Sequence, residues 1–226
     1  MEERREDLVL RYTMAERVVH WVVALTFLYL LLTGLALFWP PFFWLAGLFG
    51  GGPVIRVWHP IVGVVFIVAL VVMFVMWARD MRFEPEDRTW LQHVREYATG
   101  ATHAVPESGR FNAGQKLLFY LQFVAGILLL LSGVVLWFPL AFGRGLREAS
   151  YIVHDLAAIA GMGALIVHIY MGVFVIKGSW EAMTRGSVSR RWAEVHHGRW
   201  YRALRGASSG PREWEPLRTP EGMGQG

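Results

Sequence analysis

Two histidines, His154 and His168, lie fourteen residues apart in an apolar stretch, residues 150–178, that is long enough to cross a bilayer. In a helix with about 100° and 1.5 Å per residue, the second imidazole lies within roughly 40° of the first and about 21 Å further along the axis. Ionisable groups at membrane depth are usually functional. Gly161 lies midway among alanines and glycines, so a flat, bulky ligand could lie on this face. Helix–helix contact is the alternative use of such small residues, and it stays open here.

The composition of the chain is that of a membrane protein. Of its 226 residues, 54% are hydrophobic, with 11 tryptophans and 14 phenylalanines. This length suits four spans and their loops in one domain, so we expect an all-α fold, an integral membrane four-helix bundle, over residues 1–205. Residues 206–226 are rich in Gly, Ser, Pro and charge and are expected to form a disordered cytoplasmic tail.

Cysteine is absent from the chain, and this limits the redox chemistry that it can support. Disulfides, iron–sulfur clusters held by cysteine, and the covalent attachment of c-type haem are all excluded. A redox metal in this protein must therefore be held by histidine, methionine or oxygen ligands.

Apolar runs separated by polar loops give the bounds of the four predicted spans, which are 18–39, 58–77, 117–138 and 150–178. Thr13–Glu16 is a capping-box pattern that predicts a helix start before the first span, and Ser150 is expected to cap the fourth span. His59 is expected in the first turn of the second span, where the following Pro60 is tolerated.

A short amphipathic helix is predicted on the cytoplasmic surface between spans two and three. Thr89–Gln92 is again a capping-box pattern. The helix is expected to end near Gly100 and to lie on the membrane through its apolar side. That side consists of Trp90, Leu91, Val94 and Tyr97.

The distribution of Arg and Lys predicts the orientation of the chain. The N-terminal segment, the loop 79–116 and the C-terminal segment hold nearly all of them, and the other two loops hold only Arg56, Arg144 and Arg147. Positive loops stay on the cytoplasmic side, so we expect a multi-pass protein of the inner (plasma) membrane with both termini cytoplasmic. The net charge of +4 is thus a topology signal, and nucleic-acid binding is not predicted.

Depth in the bilayer sorts four histidines into two pairs. His59 and His154 lie about 5 and 6 Å from the outer ends of their spans, and we call them the outer pair. His20 and His168 lie about 10 and 13 Å from the inner ends of theirs, and we call them the inner pair. A b-type haem with two histidine ligands needs two neutral imidazoles at one depth on different helices.

The sequence therefore predicts two b-type haems, with the haem iron held by the outer pair in one and by the inner pair in the other. Two histidine ligands fill both axial positions of the iron, which favours electron transfer over catalysis at the metal. No catalytic residue is predicted in this chain.

Four other histidines are weaker candidates for a metal. His93 and His103 lie in the predicted cytoplasmic loop, where contacts with solvent or an interface are the expected role. His196 and His197 are adjacent in a basic segment, and for them we favour contact with a partner or with lipid headgroups over a metal.

Asn112 and Gln115 lie at the predicted cytoplasmic mouth of the third span. Their side-chain amides and the free N–H groups of the helix start could hydrogen-bond the oxygens of a quinone. An ordinary helix start with Asn112 as the N-cap accounts for the same residues. The residues alone leave both interpretations open.

The order of motifs resembles the gamma subunit of membrane-bound formate dehydrogenase, a dihaem cytochrome b, from about residue 11 to residue 203. The motifs that carry this resemblance are ERVVHW, WHPIVG, RFNAGQK, IVHDLAAIAG, LIVHIYMGVFVIKGS and VSRRWAEVHHGRWYR.

The resemblance implies a membrane anchor for two other subunits, an iron–sulfur beta subunit and a molybdenum- or tungsten-pterin catalytic alpha subunit. It implies that electrons from formate reach menaquinone, or another quinone, through two b-type haems. The outer haem would be held by His59 and His154, and the inner haem by His20 and His168. The same resemblance places Asn112, Gly114 and Gln115 at the quinone pocket on the cytoplasmic side.

Two alternatives stay open at the sequence level. The same kind of cytochrome serves nickel–iron hydrogenases and thiosulfate-type reductases, and nothing in this chain carries formate chemistry. A haem-free membrane anchor is the alternative from a different class. The direction of electron flow, the quinone type and a higher oligomer are not decided by the sequence.

Overall fold

The computed structural model describes residues 8–99 and 105–206 of the chain. His103, and all of the predicted tail after Gly206, lie outside the described residues. Within those ranges, the helices are α1 Met14–Phe38, a 3-10 helix Pro40–Phe49, α2 Gly52–Trp77, α3 Pro85–Gln92, α4 Val94–Ala98, α5 Ala113–Trp137, α6 Arg144–Ile169, a π-helical segment Tyr170–Val175, α7 Ser179–Arg185 and α8 Arg190–Leu204. The strands are β1 Leu8–Leu10 and β2 Ser187–Ser189.

Four helices are long and apolar enough to cross a membrane. They are Met14–Phe38, Gly52–Trp77, Ala113–Trp137 and Arg144–Val175, the last one including the π-helical segment. The prediction of an all-α membrane helical bundle with four spans is confirmed. The described part of the chain divides into two compact units, one made of residues 13–79 and 118–169 and one made of residues 8–12, 80–99, 105–117 and 170–206.

The first unit is the helical bundle, and its helices approach closely at glycines. At Gly126 on α5 a Cβ atom would lie 2.3 Å from the Leu70 side chain, so glycine is required for the contact with α2. The 3-10 helix joins α1 to α2 and ends at Gly50, whose φ of 90° suits glycine. Trp77, at the end of α2, donates from Nε1 to Glu16 Oε1 over 2.7 Å.

The capping box before the first span is confirmed, and three other predicted helix boundaries are wrong. Thr13 and Glu16 exchange side-chain and backbone hydrogen bonds at the start of α1. Helix α2 begins at Gly52, so His59 lies about two turns inside it, and Pro60 is internal. Helix α6 begins at Arg144, so Ser150 does not cap it. In both cases the helix extends beyond the apolar run.

The start predicted at Thr89 is the third of these errors, because Thr89–Gln92 lies inside α3. The capping box there is formed by Glu84 and Asp87 around Pro85, a residue preorganised for the first helical position. The apolar side was predicted to face the membrane. Leu91 and Val94 of that side are exposed, but Trp90 is only 3% exposed. Its ring packs against Gly114, where a Cβ atom would lie 3.0 Å from it.

In the second unit, segments that are far apart in the sequence contact each other. Strands β1 and β2 pair antiparallel, with Val9 opposite Val188. Next to them Arg11 is buried, with its guanidinium 4.5 Å from the ring centroid of Trp200 and hydrogen-bonded to the Arg110 carbonyl. The N-terminal residues therefore form part of the fold of this unit.

His197 is also buried in the second unit, which corrects its predicted contact with a partner or lipid headgroups. It is 1% exposed, its Nδ1 lies 2.9 Å from the Gly109 carbonyl, and its Nε2 lies 3.3 Å from Arg11 Nη2. Its backbone interrupts α8, with φ −144° and ψ 49°. His197 is therefore a structural residue of this unit.

We expect the stability of the protein to decrease at mildly acidic pH because of His197. Burial, together with the neighbouring Arg11 guanidinium, holds the pKa of His197 well below its usual range. The unfolded chain takes up a proton below about pH 6.5 while the folded chain does not, so stability is full above that pH and decreases below it. The midpoint of thermal unfolding, measured from about pH 8 to 5, should fall less in His197→Asn than in the wild type. The matched variant His93→Asn should keep the wild-type profile, and equal profiles for all three proteins would contradict the role of His197.

Candidate haem-binding site

The bundle brings the four histidines together in the two predicted pairs. The ring centroids of the outer pair, His59 on α2 and His154 on α6, are 6.4 Å apart with the rings inclined by 54°. The ring centroids of the inner pair, His20 on α1 and His168 on α6, are 6.0 Å apart with the rings inclined by 52°. Helix α6 contributes one histidine to each pair. The two are fourteen residues apart, which corresponds to about 21 Å along the helix.

The separation within each pair fits two imidazoles on opposite sides of one metal ion. An imidazole nitrogen binds a transition metal at about 2.0 Å, and the ring centre lies about 1.1 Å behind that nitrogen, so the centroids of two opposed ligands are about 6.2 Å apart. The observed values of 6.4 and 6.0 Å lie close to this separation.

Each histidine of the outer pair has a hydroxyl group at its second ring nitrogen. Thr33 Oγ1 lies 2.8 Å from His59 Nδ1, and Ser132 Oγ lies 2.9 Å from His154 Nδ1. The two hydroxyls already donate to the carbonyls of Tyr29, at 2.8 Å, and of Leu128, at 2.6 Å.

The hydrogen bonds of these hydroxyls determine which nitrogen of each outer histidine carries the proton. A hydroxyl has one proton, so an oxygen that donates to a carbonyl must accept from the histidine. Both rings therefore carry their proton on Nδ1. The lone pair of Nε2 is thus left for a metal in both histidines.

Two glycines leave room for the outer rings. A Cβ atom at Gly34 would lie 3.5 Å from His59 Cε1, and one at Gly133 would lie 3.4 Å from His154 Cε1. Since these are contact distances for Cβ alone, a larger side chain at either position would displace the ring.

The inner pair has a different environment. His20 packs edge-on against the neighbouring Trp21, with ring centroids 5.5 Å apart. Its Nδ1 is buried and has no hydrogen-bond partner within the described ranges. The two pairs therefore have similar ring separations, and His20 lacks the Nδ1 hydrogen bond that both outer histidines have.

The surface beside Gly161, where a flat ligand was expected, is occupied by side chains of the chain itself. A Cβ atom at Gly161 would lie 3.1 Å from the Phe27 ring and 3.3 Å from Gln122 Oε1. Gln122 also donates from Nε2 to the Gly161 carbonyl over 3.2 Å. The small residues at this point of α6 therefore serve helix packing, which is the alternative that the sequence left open.

Asn112, Gly114 and Gln115 lie at the start of α5 in the second unit. The Asn112 backbone N–H donates to Gln115 Oε1 over 3.0 Å, and the Gln115 backbone N–H donates to Asn112 Oδ1 over 2.9 Å. This exchange is a helix N-cap, as in one of the two sequence interpretations. The cap uses the oxygens of both side chains and leaves the Gln115 Nε2 hydrogens for another partner.

Tyr97 adds a phenol to this group of polar side chains. Asn112 Nδ2 donates to the Tyr97 hydroxyl over 3.0 Å. Burial raises the pKa of Tyr97 to about 12, although the Asn112 hydrogen bond acts in the opposite direction. The hydroxyl therefore stays protonated at neutral pH, and its proton is available to donate.

His93, His196 and His197, the other histidines among the described residues, do not form a further metal site. His93 Nδ1 lies 2.9 Å from the Thr89 carbonyl. His196 packs against Trp192, with ring centroids 4.9 Å apart. Over residues 8–99 and 105–206, no cluster of three or more His, Asp or Glu side chains could hold a metal ion.

Thr33, Gly34, Ser132 and Gly133 are contacts of the histidines that the sequence analysis did not identify. The available signal was a hydroxyl residue followed by glycine, which occurs once in the first span and once in the third. The arrangement as a whole offers two pairs of imidazoles on different helices, which suits electron transfer.

Comparison with known proteins gives matches over most of the chain. The family model for prokaryotic cytochrome b561 matches residues 11–186, a range that includes all four paired histidines. The cytochrome b556(fdo) subunit of formate dehydrogenase from Escherichia coli strain K12 is 35% identical over 205 residues, or 89% of this chain and 96% of that protein. The nitrate-inducible cytochrome b556(Fdn) subunit from the same strain is 35% identical over 208 residues, or 91% and 95%. The cytochrome b556 subunit of formate dehydrogenase from Haemophilus influenzae is 32% identical over 205 residues, or 89% and 86%.

Proposed function

The chain belongs to the prokaryotic cytochrome b561 family, and from this premise we propose that it is the cytochrome b subunit of a formate dehydrogenase complex. The family implies a b-type haem. The observation that carries the proposal is the separation of 6.4 and 6.0 Å within the two histidine pairs, which suits two opposed axial ligands.

Four histidines are the proposed iron ligands of two b-type haems. His59 and His154 would hold the outer haem, and His20 and His168 would hold the inner haem. When bound, each haem supplies an iron centre that accepts and releases one electron. The chain supplies neutral imidazoles from opposed helices, and in the outer pair it fixes the ring nitrogen that faces the metal. Oxidation of the substrate belongs to another subunit.

The proposed partners are an iron–sulfur beta subunit and a molybdenum- or tungsten-pterin alpha subunit that oxidises formate. This proposal is supported by the names of the relatives, all of which are subunits of formate dehydrogenase. With haem bound, the outer pair would hold the centre that receives electrons from the iron–sulfur subunit, and the inner pair would hold the centre that delivers them to menaquinone or another quinone.

We place the protein in the inner membrane with both termini cytoplasmic, as the distribution of Arg and Lys indicates. In this orientation electrons move inward against the membrane potential, at about 2.3 kcal/mol per charge for 100 mV. Formate oxidation would then energise the membrane.

A reporter protein fused to the C-terminus should be active on the cytoplasmic side of the membrane. Reporter activity in the periplasm would contradict the proposed orientation.

The experiment that tests the function is reduction of the purified complex by formate. We expect reduced b-type absorption bands from two haems per chain after addition of formate, and their reoxidation after addition of a quinone. Bands reduced by hydrogen and not by formate would assign the chain to a hydrogenase complex. Absence of b-type bands would indicate a haem-free anchor instead.

Gln115 is the proposed hydrogen-bond donor to the quinone, with Asn112 and Gly114 as its neighbours in the site. Replacing Gln115 by glutamate keeps an oxygen for the N-cap and removes the amide donor. We expect Gln115→Glu to slow quinone reduction about 10-fold or more, because a binding group left without its partner loses its contribution to the reaction. Stopped-flow absorption should show haem reduction by formate at the wild-type rate and slower reoxidation by quinone.

The matched control for this prediction is Gln92→Glu, which makes the same change at the end of α3. The control should keep wild-type reoxidation. If Gln115→Glu and the control are equally fast, the quinone site lies elsewhere and the residues 112–115 are only the N-cap of α5.

A further inference from the structure

A hydroxyl residue followed by a glycine faces each histidine of the outer pair. Thr33-Gly34 on α1 faces His59, and Ser132-Gly133 on α5 faces His154. The hydroxyl–Nδ1 distances are 2.8 and 2.9 Å, and the contacts from the glycine Cβ positions to the ring Cε1 atoms are 3.5 and 3.4 Å. Two different helix pairs therefore hold their histidines in the same way. We call each dipeptide a hydroxyl–glycine seat.

The inner pair has no equivalent hydrogen bond at His20. Its Nδ1 is buried and has no partner among the residues that the structure describes. The residue that follows His20 is Trp21, whose ring lies edge-on at 5.5 Å. His20 thus differs from both outer histidines in one feature, the hydrogen bond at Nδ1, which tunes an imidazole ligand without touching the metal.

A hydrogen bond donated from Nδ1–H makes an imidazole a stronger electron donor at Nε2. A stronger donor favours the oxidised form of the metal, so the reduction potential of the centre decreases. In the outer pair both ligands donate such a bond, and their acceptors are oriented because each hydroxyl is fixed to a backbone carbonyl of its own helix.

We propose that Thr33 and Ser132 are positioning residues that give the outer haem a lower reduction potential than the inner haem. This inference rests on the proposed function, since it requires a haem at each pair. The order of potentials makes the transfer of one electron from the reduced outer centre to the oxidised inner centre favourable, and no proton moves in that step. The seats would thereby set the inward direction of electron flow.

The test is a redox titration of the b-type bands in the purified complex for the wild type, Thr33→Val and Ser132→Ala. Valine replaces the hydroxyl by a methyl group at nearly constant size. We expect two components in the wild type, and the variant His154→Ala identifies the outer one by its loss. In Thr33→Val and in Ser132→Ala the outer component should shift to higher potential. A shift of about 59 mV corresponds to a tenfold change in the preference for the oxidised iron, and the inner component should stay in place.

Two further variants separate the hydrogen bond from general packing. Thr33→Ser keeps the hydroxyl and should restore the wild-type potential. Thr26→Val is the matched control, because Thr26 on the same helix also donates to the carbonyl four residues before it, at 2.6 Å, and no hydrogen bond links it to either histidine pair. This control should leave both components unchanged.

The possible outcomes distinguish a failure of this inference from a failure of the proposed function. Two haems with an unchanged outer potential in both Thr33→Val and Ser132→Ala would overturn the inference and leave the proposed function intact. Loss of the outer component in Thr33→Val, with retention in Thr33→Ser, would support the seat, because only the hydroxyl distinguishes the two. A wild-type complex without two b-type components would overturn the proposed function and the inference with it.

Discussion

Replacing His154 by alanine should remove the outer haem and leave the inner haem in place. The variant loses one of two axial ligands at the outer pair, while His20 and His168 keep their separation of 6.0 Å. We expect the reduced b-type absorbance per chain to fall by about half. Reduction by formate should become at least about 100-fold slower, since the inner haem would have to receive electrons without the outer one. Difference spectra and a haem assay of the purified complex measure both effects.

His93→Ala is the matched control for this variant, because it removes a histidine that bonds the Thr89 carbonyl of its own helical segment. The control should keep both haems and the wild-type rate. If His154→Ala lost the inner component and kept the outer one, the assignment of the pairs would be wrong. If it kept both, the close approach of His59 and His154 would have a structural role only.

Replacing Asp87 by asparagine should cause a large loss of stability, because it leaves a buried charge without its main partner. Lys116 Nζ lies 2.7 Å from Asp87 Oδ2, and the Lys116 side chain is only 2% exposed. Removing one member of a buried ion pair typically costs about 3 to 5 kcal/mol. We expect the lower end of that range, since Glu84 remains 3.9 Å from the ammonium group. The free energy of unfolding in mixed detergent micelles measures the loss.

The chain offers an exposed ion pair as the control for the buried one. Arg144 and Glu148 are 2.7 Å apart, with side chains 85% and 60% exposed. Glu148→Gln should change the free energy of unfolding by less than about 1 kcal/mol. The double variant Asp87→Asn with Lys116→Met should recover much of the loss, because no buried charge is left. Equal losses for the buried and the exposed pair would show that burial of Lys116 does not determine the cost.

The four spans and the histidine pairs could be predicted because both depend on local sequence. An apolar run of the right length predicts a span, and a fixed rise per residue gives the depth of each histidine. The predicted positions of two histidines within their helices were wrong, but these errors did not alter how the histidines were paired. His59 and His154 both lie further from their helix starts than predicted, because α2 and α6 begin at Gly52 and Arg144.

Those helix starts could not be predicted from hydropathy, because α6 continues into polar sequence and α2 continues past Arg56 to a glycine and a proline. Helix α6 begins six residues before Ser150, and the pair Arg144 and Glu148, spaced for contact on a helix, supports this additional part. In α2 the additional part begins at Gly52 with a proline in its first turn. Hydropathy reports which residues prefer lipid and does not report where a backbone stops being helical.

The contacts of the histidines with other helices could not be predicted either. Thr33 is 26 residues from His59, and Ser132 is 22 residues from His154. Their meeting depends on the rotation of each helix about its axis, which packing at residues such as Gly126 determines. Likewise, Phe27 fills the space beside Gly161 from another helix. A single sequence gives no measure of these rotations.

The strand Leu8–Leu10 can pair with Ser187–Ser189 only late in the synthesis of the protein. The first strand leaves the ribosome early, but its partner follows only after about 180 more residues, which takes on the order of 10 to 40 s at usual rates of translation. During that interval the N-terminal segment, including Arg11 and the exposed Leu10, has none of its native neighbours from residues 186–200. A chain that stops before residue 187 lacks the partner strand, so residues 8–10 cannot form their native pairing.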